Sequence, residues 1–418
     1  PYDKPLHARN SRLVCDLAAH LGLALRRSIL EQVIPILDAP VATVSSHFAY
    51  ELVNEPLYTQ IFCPHLQRAF KRRGLVGVDN GCFGPAVFPF SAKAKRDAAA
   101  GNLKTLRAEK WKQRAGLAAV VNEYVDRAKR EGKTVWGGPL DLDDPAVPVY
   151  FMLGRDDPRQ KGFDVIVEAI KAIPRGTARY IFAVMPGDEG LPGLRFLQKL
   201  AAQRPDEVCV FPFRVEKAVF SALQKGCSFL VMGSMYEPFG AANEGYLAGM
   251  PVIARATGGL VQQVVPHPDG LRDEAVLGLY GQLVVRKYHE EFSHPTGILF
   301  REQVSFVEEV EGWREFVDCG YWEQNPKGDR VAGRKDVLLF RRMVRSAAGA
   351  FRLAATVYRD QAQYAAMIYN GWKILPRFSW SRAVALYRKR LYAPQPPLPP
   401  EEREAAGRAI TRSRPARR

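Results

Sequence analysis

The chain has 418 residues, a net charge of +16, 47% hydrophobic residues and 25% charged residues. This length exceeds what one hydrophobic core usually supports, so we expect two domains, and the composition excludes a disordered or fibrous chain. The sequence has no apolar run near the roughly 20 residues that a membrane helix needs, and its scattered cysteines form no CxxC pair. We therefore expect a cytoplasmic protein with reduced thiols and no membrane span.

Basic residues are spread along the chain, with concentrations at residues 68–73 and in the tail that ends at Arg418. They are interleaved with acids, and no motif combines aromatic and basic residues, so we expect no nucleic-acid partner. A positive cleft would favour an anionic small substrate such as a sugar nucleotide. The first residues contain neither a signal peptide nor an initiator methionine, so we expect that Pro1 lies inside a longer protein.

The first third of the chain predicts several strand and helix units, judged from apolar periodicity and turn residues. The predicted elements are a helix at 11–37, a strand at 41–45, helices at 46–54 and 66–73, a strand with a turn at 75–81, a loop at 85–100 and a helix at 103–114. These units are too few to complete a nucleotide-binding domain. We therefore expect residues 1–136 to be an incomplete Rossmann-like domain.

Residues 137–148 contain turn formers and acids, which predicts a linker, and regular alternation of strands and helices follows. The predicted strands are 149–153, 179–184, 208–211, 229–232 and 250–254, and the predicted helices are 163–170, 194–202, 220–224 and 241–250. Such alternation indicates an α/β domain with a parallel sheet and helices on both faces. Beyond it we expect an insertion with helices at 276–345, a helical stretch at 349–392 and a disordered basic tail at 394–418.

Three passages, in this order, resemble motifs of the glycogen and starch synthases, which are retaining glycosyltransferases. They are GRDDPRQKGFD at residues 154–164, EPFG at 237–240 with Glu244 following, and RATGGL at 255–260. Each passage alone could be an ordinary turn or a solvated loop, but the ordered set favours a ligand site. Weaker similarities extend the resemblance over about residues 15–392, at 43–45, 78–81, 296–300 and 378–380.

The resemblance implies an α/β fold of the GT-B type, with two Rossmann-like domains facing a cleft and the N-terminal one incomplete. It places a nucleotide-sugar-binding domain at 149–375 and a C-terminal helix at 376–393. It also implies transfer of glucose from ADP- or UDP-glucose to the non-reducing end of an α-1,4-glucan, with retention and without a cofactor or metal. The alternatives are the same fold with another acceptor, or a non-catalytic nucleotide-sugar-binding module. Sequence does not predict the donor base, the acceptor or the oligomeric state.

Transfer from a nucleoside diphosphate sugar builds negative charge on the leaving diphosphate and positive charge on the sugar. Arg155 and Lys161, six residues apart across a turn, can place two cations against the diphosphate. The resemblance assigns Glu237 to face the transferred sugar. The other predicted donor-binding residues are Thr257, Gly258, Gly259, Glu244, Gly240 and Asn80.

Two departures from the family pattern are visible. Six residues lie between Glu237 and Glu244, one fewer than in relatives with a second glutamate, which turns a helical side chain by about 100°. The lysine–glycine loop that relatives carry near their N-terminus is absent from the chain. The histidines and acids show no metal-ligand spacing, so we predict no metal site.

Overall fold

The computed structural model describes residues 16, 19, 20, 22–24, 27–37, 39–82, 84–142, 144–318 and 330–393. The chain divides into two compact units, a first unit of Pro1–Asn80 with Trp380–Arg418 and a second unit of Gly81–Ser379. This division differs from the predicted boundary at 137–148, because residues 81–136 belong to the second unit. The expected tail at 394–418 lies outside the described residues.

The first unit contains a small parallel sheet of β1 (Val41–Thr43) and β2 (Leu75–Gly77). Ser45 starts the helix after β1, because its Oγ accepts a hydrogen bond from the Phe48 amide at 3.1 Å. The helices of this unit are α1 (Ile29–Val33), α2 (Ser46–Asn54), α3 (Gln67–Arg73) and α18 (Trp380–Tyr387). The predicted helix at 11–37 is wrong as a continuous element, because residues 22–24, 27 and 28 are not helical.

The second unit is built on a seven-stranded sheet with the order β3-β6-β5-β4-β7-β8-β9. Its strands are β3 (Trp136–Gly137), β4 (Val149–Arg155), β5 (Arg179–Met185), β6 (Val208–Phe211), β7 (Phe229–Met232), β8 (Val252–Arg255) and β9 (Gly297–Phe300). All neighbours are parallel except β3 and β6. Without β3, the order is the 3-2-1-4-5-6 arrangement of a Rossmann fold. The predicted α/β fold with a parallel sheet is confirmed.

Helices connect these strands and cover the sheet. They are α4 (Ala92–Ala99), α5 (Lys104–Ala115), α6 (Leu117–Arg130), α7 (Phe163–Lys171), α8 (Arg195–Gln203), α9 (Lys217–Gly226), α10 (Ala242–Leu247), α11 (Gly259–Gln263), α12 (Pro268–Arg272), α13 (Leu279–Arg286), α14 (Phe306–Asp318), α15 (Arg330–Arg334), α16 (Leu338–Arg359) and α17 (Gln361–Ile374). Among the helices that the structure describes, none combines the length and the apolar character needed to cross a lipid bilayer.

The core of the second unit surrounds β4. The first four residues of this strand, Val149–Met152, are fully buried, as expected for a central parallel strand covered on both faces. Burying one large apolar side chain contributes about 1.5–3 kcal/mol to the free energy of folding, so the buried side chains of β4 hold this strand firmly in the core. The long helix α16 packs against this region, where the Tyr150 hydroxyl donates to the Phe351 carbonyl at 3.0 Å. The loops that leave the carboxyl ends of β4 and β7 therefore start from rigid positions.

Three predictions about individual segments are corrected by the structure. The predicted loop at 85–100 contains α4, whose first turn is capped by the Ser91 hydroxyl. The predicted linker begins inside β3, which pairs with β6 and extends the sheet. The predicted insertion at 276–345 contributes the edge strand β9. This strand has only four residues and lies in a charged stretch, so the sequence pattern did not indicate it.

Candidate functional site

The sheet of the second unit has a topological switch point between β4 and β7. From β4 the chain continues through β5 to β6 on one side, and β7, β8 and β9 follow on the other side. In open α/β sheets the crevice at the carboxyl ends of the strands on either side of such a point is where ligands bind. Arg155 is the last residue of β4, the loop after β4 carries Lys161, and the loop after β7 carries Glu237. The topology therefore brings the predicted catalytic residues to one edge of the sheet.

Lys161 and Glu237 form an ion pair across this switch point. The Lys161 Nζ donates to Glu237 Oε2 at 2.8 Å, and the Ser234 hydroxyl donates to the same oxygen at 3.0 Å. The side chains are 26% and 10% exposed, respectively. One carboxylate oxygen is thus held by two donors, while Glu237 Oε1 accepts no hydrogen bond from the described residues and can receive a ligand.

Gly162 lets the two loops approach closely enough to form this pair. Its φ is +62°, a conformation that glycine adopts without strain, and a Cβ there would lie 2.1 Å from the Gly233 carbonyl oxygen. The Met235 amide also donates to the Gln160 carbonyl at 2.6 Å. The loop after β4 is therefore held against the loop after β7 by backbone contacts on both sides of Lys161.

The Thr257-Gly258-Gly259 loop follows β8 and packs on the backbone of Glu237. A Cβ on Gly258, whose φ is +49°, would lie 1.8 Å from the Glu237 carbonyl oxygen. The Gly259 amide donates to that carbonyl at 3.0 Å, and the Thr257 amide donates to the Arg255 carbonyl at 2.9 Å. The amides of Thr257 and Gly259, two of the predicted donor-binding residues, are therefore both hydrogen-bonded within the protein.

The same packing explains Gly240, which has a φ of +89°. A Cβ at this position would lie 3.0 Å from Glu237 Cγ and 2.8 Å from Leu260 Cδ2. Gly240 and the Thr257 loop thus fix the main chain and side chain of Glu237. They lie beside the ion pair, where they contact Glu237 and its neighbours.

The remaining predicted residues are Arg155, Glu244 and Asn80. The Arg155 side chain is 64% exposed, with one guanidinium nitrogen 3.9 Å from an Asp188 carboxylate oxygen. Glu244 lies in the first turn of α10, and burial raises the pKa of its carboxyl group. Asn80 belongs to the first unit, where its amide donates to the Val44 carbonyl at 3.1 Å.

Two contributors to this edge were missed by sequence reasoning. Ser234 holds Glu237 but is only a small polar residue after a strand, which gives no distinctive signal. Arg255 is buried and donates to the Met235 carbonyl at 2.7 Å through Nη1, while its Nε donates to Glu302 at 2.9 Å. This arginine connects the end of β8 to the loop that carries Glu237.

Two further features do not include these residues. A cavity of about 550 Å³ is lined by the ionisable side chains His289, Glu290, Glu291, His294, Lys373 and Arg377 among others, and by none of the predicted site residues. In the first unit, ligand atoms of His47, Glu51 and Glu55 lie within 4.8 Å of one another, a grouping along α2 that the sequence analysis did not recognise. His47 Nε2 lies 3.4 Å from Glu51 Oε1. We place the site at the switch point, because the topology and the paired charges coincide there.

Residues 143–272 match the family described as Glycosyl transferases group 1. This segment contains β4, the Lys161–Glu237 pair and the Thr257 loop. No curated protein sequence matches the chain.

Several solved structures are similar to the chain. The catalytic domain of starch synthase IV from Arabidopsis thaliana bound to ADP and acarbose is 17% identical, with a TM-score of 0.44 over 81% of this chain and 58% of that chain. Alr3699/HepE from Anabaena in complex with UDP is 14% identical, with a TM-score of 0.40 over 84% and 70%. Sucrose-phosphate synthase from Thermosynechococcus elongatus is 16% identical, with a TM-score of 0.39 over 83% and 66%.

The chain thus spans 58% of the length of the matched starch synthase domain. Because these TM-scores are below 0.5, the Rossmann-like fold of the second unit is assigned from its strand order and from the family match. The family match covers five of the six parallel strands, β4 to β8. The part of the protein that carries the Lys161–Glu237 pair is therefore similar to the glycosyl transferases of group 1.

Proposed function

We propose that the protein transfers glucose from ADP- or UDP-glucose to the non-reducing end of an α-1,4-glucan with retention of configuration. The observation that carries the proposal is the Lys161–Glu237 ion pair at the switch point of a Rossmann-ordered sheet. A cation and an anion at one strand edge meet the two electrostatic demands of the reaction. The match to Glycosyl transferases group 1 supports the reaction class.

In this proposal Lys161 and Arg155 bind the diphosphate of the donor. The loop that separates them turns at the end of β4, so both cations lie at the edge where the switch point opens. Preorganised donors aimed at the position where charge develops typically lower the barrier by about 3 kcal/mol. Lys161 acts as a point charge, whereas Arg155, which is more exposed, offers a forked contact.

Glu237 faces the transferred sugar in this proposal. Its Oε2 is held by Lys161 and Ser234, which leaves Oε1 to accept hydrogen bonds from sugar hydroxyls and to stabilise the positive charge near C1. Glu244 binds the ribose. The C1–O bond to the phosphate breaks, the acceptor oxygen bonds to C1 on the same face, and the acceptor proton passes to the leaving phosphate.

The test is release of ADP or UDP from the corresponding glucose donor, measured with glycogen, with glucose 6-phosphate, with fructose 6-phosphate and without acceptor. Release that depends on glycogen supports the proposal, and the faster donor identifies the base. Release with a sugar phosphate only would indicate the same chemistry with another acceptor. Binding of a donor without release in any mixture would indicate a binding module. A protein that neither binds nor cleaves either donor contradicts the proposal.

A further inference from the structure

Two buried arginines of α15 contact the loop that joins β4 to α7, although about 170 residues separate them in sequence. Arg330 donates from Nη2 to Asp156 Oδ2 at 2.8 Å and from Nη1 to Asp156 Oδ1 at 3.3 Å. The same Nη2 donates to the Gly193 carbonyl at 3.0 Å, and the guanidinium stacks 4.6 Å from the Phe196 ring. Arg330 therefore fixes the first residue of the loop against the segment before α8.

Arg334 holds the same loop at two later points. Its Nη2 donates to the Pro158 carbonyl at 2.8 Å, and its Nη1 donates to Asp164 Oδ2 at 2.6 Å. Its Nε donates to the Phe316 carbonyl at 3.1 Å, and the guanidinium stacks 3.7 Å from the Phe316 ring. The loop is thus held in its middle and at the first turn of α7, on both sides of Lys161.

These contacts also neutralise two carboxylates beside the predicted phosphate site. Asp156 and Asp164 flank the loop that carries Lys161 and are both buried. Unpaired, they would repel a diphosphate, and in a poorly solvated site that repulsion is only weakly screened. Paired with Arg330 and Arg334, they contribute no net charge.

We propose that Arg330 and Arg334 are positioning residues of the donor site, which hold the β4–α7 loop in the geometry that places Lys161 against Glu237. The inference rests on the proposed function, because it takes a nucleoside diphosphate as the ligand. A stabilising role alone does not explain the two buried arginines, since buried ion pairs are often no more stabilising than apolar residues of similar volume. Forked guanidinium contacts to both a carboxylate and a carbonyl do fix a loop in one geometry.

Arg204 is a matched control for this proposal. It donates to Glu207 at 3.1 Å and to the carbonyls of Lys171 and Ile173 at 3.2 and 2.8 Å. It therefore combines a carboxylate and main-chain carbonyls as Arg334 does, but it holds the opposite end of α7, away from Lys161.

The experiment compares Arg330→Lys, Arg334→Lys and Arg204→Lys in the full chain. Each variant keeps its charge and loses the forked contact. Calorimetric titration with ADP and with UDP gives the dissociation constants, and thermal unfolding gives the stability. We expect Arg330→Lys and Arg334→Lys to weaken binding of the preferred nucleotide by about tenfold. Arg204→Lys should lose comparable stability and keep its affinity within about twofold of wild type.

A double variant separates positioning from general loosening of the fold. If Arg334 acts through Lys161, adding Arg334→Lys to Lys161→Met should weaken nucleotide binding little further, because the contact it positions is already gone. Equal affinities of all three lysine variants, or fully additive losses in the double variant, would overturn the inference while leaving the proposed function intact. A wild-type protein that binds neither ADP nor UDP would overturn both.

Discussion

Replacing Glu237 with glutamine should tighten nucleotide binding while it abolishes glucose transfer. In the structure Lys161 is engaged by Glu237 Oε2 at 2.8 Å, so a diphosphate that approaches Lys161 competes with an anion already in place. Glutamine keeps the size of the side chain and an oxygen that can accept from Ser234, but it removes the charge. The ammonium group then becomes fully available to the diphosphate.

The size of this effect follows from the distance and the exposure of the pair. Two unit charges 2.8 Å apart attract with about 1.5 kcal/mol at the permittivity of water and with about 6 kcal/mol at an effective value of 20. Because the Lys161 side chain is 26% exposed, solvent screening and desolvation remove most of the larger figure. We expect a net gain of about 1 kcal/mol, which corresponds to about fivefold tighter binding of ADP or UDP.

The assay is calorimetric titration of wild type and Glu237→Gln with ADP and UDP, together with nucleotide release from the glucose donors. Glu216→Gln is the control, because Glu216 pairs with Arg127 on the surface at 2.7 Å and should change neither quantity. Weaker nucleotide binding by Glu237→Gln, or transfer activity close to wild type, would refute this assignment of Lys161 and Glu237.

The structure also predicts the direction of three other effects, two from substitutions and one from pH. Gly258→Ala should lower the free energy of unfolding by at least about 2 kcal/mol in thermal unfolding, because its Cβ would lie 1.8 Å from the Glu237 carbonyl oxygen. Gly176→Ala, with a φ of +82° and open space at its Cβ, should lose less stability. Equal losses in the two variants would contradict this packing. Ser234→Ala should lower the free energy of unfolding by about 1 kcal/mol. It should also lower kcat more than donor affinity, because Glu237 Oε2 loses a hydrogen-bond donor. An unchanged kcat would exclude a role of Ser234 in holding Glu237. His289, whose pKa burial lowers to about 4, binds fewer protons when folded than when unfolded, so the free energy of unfolding should fall by about 3 kcal/mol as pH drops from about 6.5 to 4. In His289→Gln, whose side chain can still donate to the Val261 carbonyl, the free energy of unfolding measured with urea should vary less with pH over that range. A pH dependence equal to that of wild type would contradict the lowered pKa of His289.

The parallel sheet was predictable because its strands are short apolar runs between turn residues. The runs at 149–153, 179–184, 208–211 and 229–232 each coincide with an observed strand. The strand β9 was not predicted, since three apolar residues after a glycine, within a charged stretch, resemble a loop. The helix α4 was also missed, because it follows a segment rich in proline and glycine and has no apolar residue larger than alanine.

The candidate site was predictable as a set of motifs, but its geometry was not. The sequence indicated that Lys161 and Glu237 serve one ligand, yet nothing in it showed that the two groups are hydrogen-bonded to each other. The family resemblance assigned Gly258 and Gly259 to donor binding. In the structure, close approach to the Glu237 and Phe239 backbones also requires these glycines. Contacts of this kind depend on packing between distant segments, which local patterns do not encode.

The most direct test of the proposed function is to follow radiolabelled glucose from ADP-glucose and from UDP-glucose into glycogen. The proposal predicts that label enters the polysaccharide from at least one donor. It also predicts that β-amylase, which removes maltose from non-reducing α-1,4-linked ends, releases that label. Label that remains in both donors, or that enters the polysaccharide equally well with Glu237→Gln, would contradict the proposal.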